Sequence, residues 1–148
     1  MPRPWTGYPR AVADRADLEL ALERELPSRD SRRLHDAAKL MVADLEPKEQ
    51  ILKLVAGTWF RGNRCLLVAT SRRVLASDGD RLDSVSYRSL LTVDYNEGWR
   101  KAHIMIRGQG AVADVRDIHL DAARELKKVI DTARRAVSTP GINIPGEA

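Results

Sequence analysis

The sequence predicts an α+β fold, in which an antiparallel β-barrel or half-barrel of about seven short strands is plugged by a C-terminal α-helix. Between residues 49 and 119, short apolar segments recur at the regular spacing typical of antiparallel strands. The turn signals between them are Gly62-Asn63, Asp78-Gly79, Asn96-Glu97-Gly98 and Gly108-Gln109-Gly110. One amphipathic segment follows the last strand, where its apolar face would close the open end of the barrel.

The first strands are the most apolar. Residues 51–56 are apolar apart from Lys53, and a long turn over residues 57–63 is expected to follow. Residues 65–69 form a continuous apolar run, which indicates a strand covered on both faces. Residues 70–73 interrupt this run, and residues 74–76 then lead into the tight turn at Asp78-Gly79.

The later strands alternate between apolar and polar side chains, which indicates one dry and one wet face. The alternation covers residues 84–87, 91–95, 101–106 and 111–115. The step from Val115 to Ile118 breaks the period of two, so we expect a β-bulge or a strand end there.

The final helix is predicted over residues 121–137, with Asp121 as its N-cap. Its apolar side chains lie on one narrow stripe: Ala123, Leu126, Ile130, Ala133 and Val137. Pro140-Gly141 ends the helix and opens a short tail.

An N-terminal helical hairpin is predicted before the strands. Its first helix covers residues 14–26, and its second begins near Ser28 or Asp30 and ends before Pro47. The second helix has a long apolar stripe: Leu34, Ala37, Ala38, Met41, Val42 and Leu45. Two helices this short cannot be stable alone, so we expect the stripe to rest on the barrel or on a partner chain.

The 148 residues thus divide into an arm with the hairpin (1–45), the barrel with its helix (46–137) and a tail (138–148). The net charge of +4 is spread along the chain, without the concentrated positive segment that binds nucleic acid or membranes. No apolar run approaches the ~20 residues of a membrane span. The single cysteine, Cys65, has no internal disulfide partner. We expect a cytoplasmic protein.

Three segments carry a resemblance to a known family. They are Glu49-Gln50-Ile51-Leu52, the run from Cys65 to Leu75, and Val85-Ser86-Tyr87-Arg88-Ser89-Leu90. Together with the helix that follows, they resemble the bacterial pleckstrin-homology-like (PH-like) domains, especially the YokE-like group. The resemblance covers residues 46–137. It implies two roughly orthogonal antiparallel sheets with the C-terminal helix across the open end, and binding without catalysis, often with self-association.

The sequence contains no motif that is typical of an enzyme active site or a metal site. His35, His103 and His119 are dispersed, with no Cys, Asp or Glu at ligand spacing. The chain has neither a Gly-x-Ser-x-Gly elbow nor a glycine-rich phosphate-binding loop. We therefore expect no catalytic residue, metal, cofactor or small-molecule substrate.

Candidate anion-binding residues are Lys53, Arg72 and Arg73. Arginines bind carboxylate or phosphate bidentately, although a solvated corner is the commoner role of an arginine pair in a turn. Phosphoinositide-binding relatives carry Lys…Arg-x-Arg around the first two strands. Here Arg61 and Arg64 stand one residue too far apart, and on alternating strands this slip points one side chain the other way.

Candidate partner-binding residues lie in three places. The tip from residue 59 to 64 would form a protein hot spot or enter a membrane interface, or else Trp59 packs as core against the hairpin. The hairpin stripe would dock a partner chain, and the tail would add as a strand to a neighbour's sheet. These residues are Trp59, Phe60, Arg61 and Arg64 of the tip, Leu34, Met41 and Leu45 of the hairpin, and Ile142 and Ile144 of the tail.

The leading functional hypothesis is a non-catalytic protein-interaction or self-assembly module built on the barrel. One alternative is peripheral binding to anionic membrane lipids through the tip, residues 59–64. Another is DNA binding through the N-terminal helices, against which Asp30, Asp36 and Asp44 argue because they would face phosphate.

Overall fold

The computed structural model describes residues 31–60 and 62–138. In this part of the chain, helix α1 spans Ser31–Asp44 and helix α2 spans Leu120–Ser138. The strands between them are β1 (Ile51–Trp59), β2 (Arg64–Thr70), β3 (Arg73–Ser77), β4 (Leu82–Ser86), β5 (Leu90–Glu97), β6 (Lys101–Gly108) and β7 (Ala111–His119). The helix predicted for residues 14–26 and the tail segment of Ile142 and Ile144 lie outside the described residues.

The seven strands form one antiparallel sheet in the order β4-β3-β2-β1-β7-β6-β5. Within each half, β1 to β4 and β5 to β7, chain neighbours pair as hairpins. The end of β1 joins the two halves by pairing Thr58 with Arg116 and Trp59 with Val115 of β7. The sheet is not closed, since β4 and β5 are its two edges. The predicted α+β class and strand number are therefore confirmed, with an open sheet in place of a closed barrel.

Strand β1 runs three residues further than the sequence predicts. A Cβ at Gly57 would lie 2.4 Å from Cγ1 of Val115 and 2.8 Å from the carbonyl oxygen of Arg116. Only glycine lets the two backbones approach this closely. The strand therefore continues through Gly57 to its junction with β7, and the predicted turn over residues 57–63 shrinks to the residues after Trp59.

The C-terminal helix packs on the inner face of the sheet. Ala123, Leu126 and Ile130 are buried there among side chains of all seven strands, and we call this cluster the inner core. Ala133 and Val137 are half-buried against it, so the predicted stripe is confirmed. The helix rests mainly on β1, β6 and β7.

Helix α1 covers the outer face of β1 to β3. Its Leu34, Ala37, Ala38 and Met41 are buried in a second cluster, the outer core. The strand residues of this cluster are Ile51, Leu54, Leu66, Val68 and Leu75. The other side chains of β2, Cys65, Leu67 and Ala69, belong to the inner core. The prediction that β2 is covered on both faces is confirmed.

The bulge predicted after Val115 is present in β7. Asp117 has a φ of 56°, and the register with β6 shifts between Ala102 and Ile104. Because of the extra residue, Val115 and Ile118 both reach the inner core. Over the described ranges, no helix is long and apolar enough to cross a lipid bilayer.

Candidate interaction surface

The most elaborate polar cluster in the described structure surrounds Glu49, which is completely buried. Arg73 Nε donates to Glu49 Oε2 at 2.9 Å, and Arg73 Nη2 donates to Oε1 at 2.9 Å. The Thr70 hydroxyl donates to Glu49 Oε2 at 2.5 Å, and Tyr87 Oη donates to the carbonyl oxygen of Thr70 at 2.8 Å. Arg73 also donates to the side chain and the carbonyl of Asp44, both at 2.7 Å. The cluster thus joins the end of α1 to the start of β1 and the β2–β3 turn.

Arg73 is therefore part of the framework, although it was a candidate for anion binding. Its hydrogen bond with Glu49 raises the pKa of its guanidinium above the ordinary value, and the nearby Asp44 acts in the same direction. The guanidinium is saturated by two carboxylates and a carbonyl of its own chain. An external anion would have to displace the buried Glu49 or the half-exposed Asp44.

The other two candidate anion-binding residues are also paired within the chain. Lys53 Nζ lies 2.6 Å from Glu125 Oε2 of α2, and the Lys53 side chain is only 8% exposed. Arg72 forms an ion pair with Glu46. Each of the three cations thus has a carboxylate partner within the chain, and anion binding at these residues stays a prediction.

The residues of the predicted tip lie in different environments. Trp59 is 1% exposed and belongs to the inner core, on the opposite side of the sheet from α1. Its neighbour Phe60 is 51% exposed and meets the Trp59 ring edge-on, with 6.1 Å between ring centroids. Arg64 is half-buried and donates to the Thr58 hydroxyl at 3.3 Å. Arg61 lies outside the described residues. Of the tip residues described, Phe60 has the large exposed apolar side chain.

The hairpin stripe is used by the chain itself. Leu34 is fully buried, Met41 is 1% exposed, and Leu45 is half-buried against the same outer core. The apolar outer face of β1 to β3 provides the surface that the sequence left unassigned. Leu34 and Met41 are therefore not exposed to a partner.

Phe60 leads onto a part of the outer sheet surface that α1 does not cover. The Phe60 N–H donates to the carbonyl oxygen of Asp114 in β7 at 3.1 Å. Asp114 faces Met105 of β6, which in turn faces Asp94 of β5. In the next row, Val112 faces Arg107, which faces Thr92. These positions alternate with inner-core residues, so their side chains point outward. We call this surface the open face; it comprises Phe60, Thr92, Asp94, Met105, Arg107, Val112 and Asp114.

The open face has an apolar centre and a polar rim. Phe60 and Val112 are 51% and 45% exposed. The half-buried Met105 lies between Asp114 and Asp94, with its Sδ 3.3 Å from Arg107 Nε. On the rim, Asp114 Oδ1 lies 2.5 Å from His103 Nε2. Val112 and Met105 were missed by the sequence reasoning. The available signal was two apolar residues at outward positions of strands that otherwise expose charged side chains.

A shallow cleft of about 320 Å³ opens beside the open face, where the β5–β6 turn meets the bulge of β7. Its charged lining mixes Lys101 and Arg116 with Glu97 and Asp117. Arg124 holds Glu97 by two hydrogen bonds of 2.8 and 3.2 Å, which lower the pKa of that carboxyl. A lining of both signs does not favour an anion over a cation. Within residues 31–60 and 62–138, no three metal-ligating side chains lie together.

Two further apolar side chains are exposed at the ends of β5. Leu91, near its start, is 57% exposed, and Trp99, just after its end, is 84% exposed. The guanidinium carbon of Arg100 lies 4.3 Å from the Trp99 ring centroid, a cation–π distance. With Phe60 and Val112, these complete the list of large exposed apolar side chains in the described part of the chain. All four belong to the β5–β7 half of the sheet or contact it.

Comparison with known proteins gives no relative for this chain: no family model, no curated protein and no solved structure matches it.

Proposed function

We propose that this chain is a non-catalytic protein-interaction module on a PH-like scaffold, and that it binds its partner through the open face. The observation that carries the proposal is the unequal covering of one continuous sheet. Helix α1 buries the outer face of β1 to β3, while Val112 of β7 and Phe60, which bonds Asp114 of β7, have exposed side chains.

The PH-like scaffold is supported by the order of elements. A four-strand meander and a three-strand meander are joined through β1 and β7, and a C-terminal helix packs on the inner face. Residues in two of the segments that carry the resemblance hold the scaffold together. Thr70 and Arg73 of the β2–β3 turn both bond the buried Glu49, which precedes β1.

A protein partner fits the composition of the open face. Binding hot spots are aromatic or large apolar side chains surrounded by polar groups that exclude water. Met105 has this surrounding, with Asp94 and Asp114 facing it and Arg107 beside it, and Phe60 bonds the backbone of Asp114. The face carries both signs of charge, as protein interfaces do, whereas an anionic lipid or DNA surface would require a predominantly basic face.

The membrane alternative has less support. Trp59, the proposed interfacial anchor, is in the inner core, and Lys53, Arg72 and Arg73 are paired with carboxylates of the chain. For DNA binding, the first of the two N-terminal helices lies outside the described residues, and the apolar side of the second rests on the sheet.

Photo-crosslinking from the open face tests the proposal. Phe60 is replaced by p-benzoylphenylalanine, which keeps an aromatic ring at an exposed position, and the full-length chain is irradiated in its native cells. The matched control carries the same group at Thr132, an exposed position on α2. We expect a discrete protein adduct from position 60 and none from position 132.

Adducts of equal yield at the two positions, or none at position 60, would overturn the open face as the binding surface. Adduct loss on adding Val112→Asp to the Phe60 variant would support it, because a carboxylate in the apolar centre of the face would have to be desolvated on binding.

A further inference from the structure

Strand β5 is an edge strand of eight residues, and in the described structure β6 is its hydrogen-bonded neighbour. Edge strands present free N–H and C=O groups that pair readily with another strand, and proteins usually protect them with lysine, proline or a covering element. β5 contains neither lysine nor proline. Its register shift lies at its start, between Leu90 and Thr92, so residues 92–97 are regular.

The hydrogen bonds fix which backbone groups face outward. Gly98 N–H donates to the carbonyl oxygen of Lys101 at 2.8 Å. Counting back along the alternating ladder, Asn96, Asp94 and Thr92 bond to β6, while Val93 and Tyr95 turn their N–H and C=O groups away from it. The Leu91 carbonyl agrees with this direction, since it accepts from Arg134 Nη2 at 3.3 Å.

Helix α2 does not close this edge. It rests mainly on β1, β6 and β7, and it reaches β5 through the long side chains of Arg124, which bonds Glu97, and Arg134, which bonds the Leu91 carbonyl. Between these two contacts, Val93 and Tyr95 are half-buried and pack at the margin of the inner core. The edge therefore combines outward backbone groups with apolar side chains.

We infer that β5 pairs with β5 of a second copy of this chain, antiparallel and centred on Val93. The inference rests on the proposed interaction function and names a second copy as one partner. In this register Val93 faces Val93 of the second copy, Leu91 faces Tyr95, and Thr92 faces Asp94. The outward groups of Val93 bond those of Val93 of the second copy, and the open faces of the two chains become one surface.

The side chains select this register and a like partner. The N–H and C=O groups that face away from β6 belong to odd-numbered residues of β5. Two copies can therefore pair only in registers that place odd-numbered residues opposite odd-numbered residues. One other allowed register, centred on Asp94, forms as many residue pairs as the register centred on Val93. It places Asp94 directly opposite Asp94 of the second copy, and like charges in that position are destabilising. The chosen register instead pairs Val with Val and Leu with Tyr, which stabilises cross-strand contacts. The exposed Leu91 and Trp99 at the two ends of β5 would extend the buried area.

Disulfide trapping of the full-length chain tests the register. Thr92→Cys and Asp94→Cys are prepared separately, and both positions are exposed, so neither change should disturb folding. After mixing and mild oxidation, we expect at least about ten-fold more disulfide-linked dimer than from either variant alone, because facing residues lie within bridging distance and identical ones do not. Cys65 does not interfere, since it is buried and its burial raises its pKa to about 12.

Sedimentation velocity of the unmodified chain gives the second readout. Self-association that strengthens with concentration, together with mixed dimers, supports the pairing. Equal dimer yields from the mixture and from the single variants would overturn the register. A chain that is monomeric at every concentration would overturn the pairing. If its Val93 and Tyr95 amides were then protected from hydrogen exchange, another segment of the same chain would occupy the edge. The crosslinking from Phe60 is read separately, so each proposal can fail without the other.

Discussion

Arg73 and Glu49 form a two-point ion pair at the corner where β1, β3 and α1 meet, with two N···O distances of 2.9 Å. The carboxylate is completely buried, and the guanidinium also bonds Asp44 at the end of α1. The pair therefore connects the outer helix to the sheet. This connection positions α1 over the outer face of β1 to β3 and not over that of β5 to β7.

Replacing Arg73 should destabilise the fold strongly. Arg73→Met leaves the Glu49 carboxylate buried without its cation, and breaking a buried pair in this way costs about 3–5 kcal/mol. Urea unfolding followed by circular dichroism measures the change in the free energy of unfolding. Arg81→Met is the matched control, because Arg81 is half exposed and lies 3.9 Å from Asp83, a surface pair worth ~0–1 kcal/mol. Equal losses in the two variants would contradict the structural role of the Arg73–Glu49 pair.

Gly57→Ala should weaken the junction between β1 and β7. The added methyl group meets Cγ1 of Val115 at 2.4 Å and the carbonyl oxygen of Arg116 at 2.8 Å. Overpacking of this kind costs about 1–3 kcal/mol. Val115→Ala in the same chain removes the clash with Cγ1 of Val115 but leaves the approaches to the Arg116 carbonyl oxygen at 2.8 Å and to Cγ1 of Ile118 at 3.0 Å.

A double-mutant cycle on Gly57 and Val115 measures this relief. The double variant should be more stable than the sum of the two single losses predicts, by an interaction energy of ~0.5–3 kcal/mol. Strict additivity would mean that the junction relaxes by moving its backbones apart.

Local sequence patterns predicted the strands because the pattern of apolar and polar residues in a strand depends on which of its faces are buried. The alternation in residues 101–106 marked the face of β6 that enters the inner core, and the break between Val115 and Ile118 marked the bulge of β7. The unbroken apolar run of β2 predicted cover on two faces. The sequence did not show that α1 provides the outer cover, since amphipathic stripes do not specify their partner.

The charged residues were harder to assign because their partners are distant in the chain. Lys53 pairs with Glu125, 72 residues later, and Arg73 pairs with Glu49, 24 residues earlier. A single sequence gives no signal for such pairs, so all three candidate cations resembled free ligand-binding groups. The open face was missed for a related reason: Phe60 reaches Asp114 of β7 through the β1–β7 junction, where Gly57 lies against Val115 and Arg116.

The two aromatic residues of the tip should respond differently to truncation. Trp59→Ala removes a large side chain that is 1% exposed in the inner core, a change that costs about 3–5 kcal/mol. Phe60→Ala removes a half-exposed ring and should change stability by less than ~1 kcal/mol. Chemical denaturation of the two variants, with Trp59→Phe as a milder core change, provides the comparison. A large loss for Phe60→Ala would place that ring in the core and remove it from the open face.

Acid should reduce the stability contributed by Asp78. Burial alone would raise the pKa of its carboxyl, but hydrogen bonds from the N–H groups of Asp80 and Arg81 and from the Asn63 amide outweigh burial and lower it below its usual 3.8. A lowered pKa in the folded state means that the contribution is complete above the unfolded value and is lost as pH falls through the folded one. We therefore compare the urea concentration at half-unfolding of the native chain with that of Asp78→Asn. The native chain's excess should be constant above about pH 5 and shrink below about pH 4. Asn63→Ala, which removes one of the three hydrogen bonds, should show the same trend with a smaller amplitude. An advantage that grew on acidification would mean that burial dominates and that the carboxyl is preferentially protonated in the folded chain.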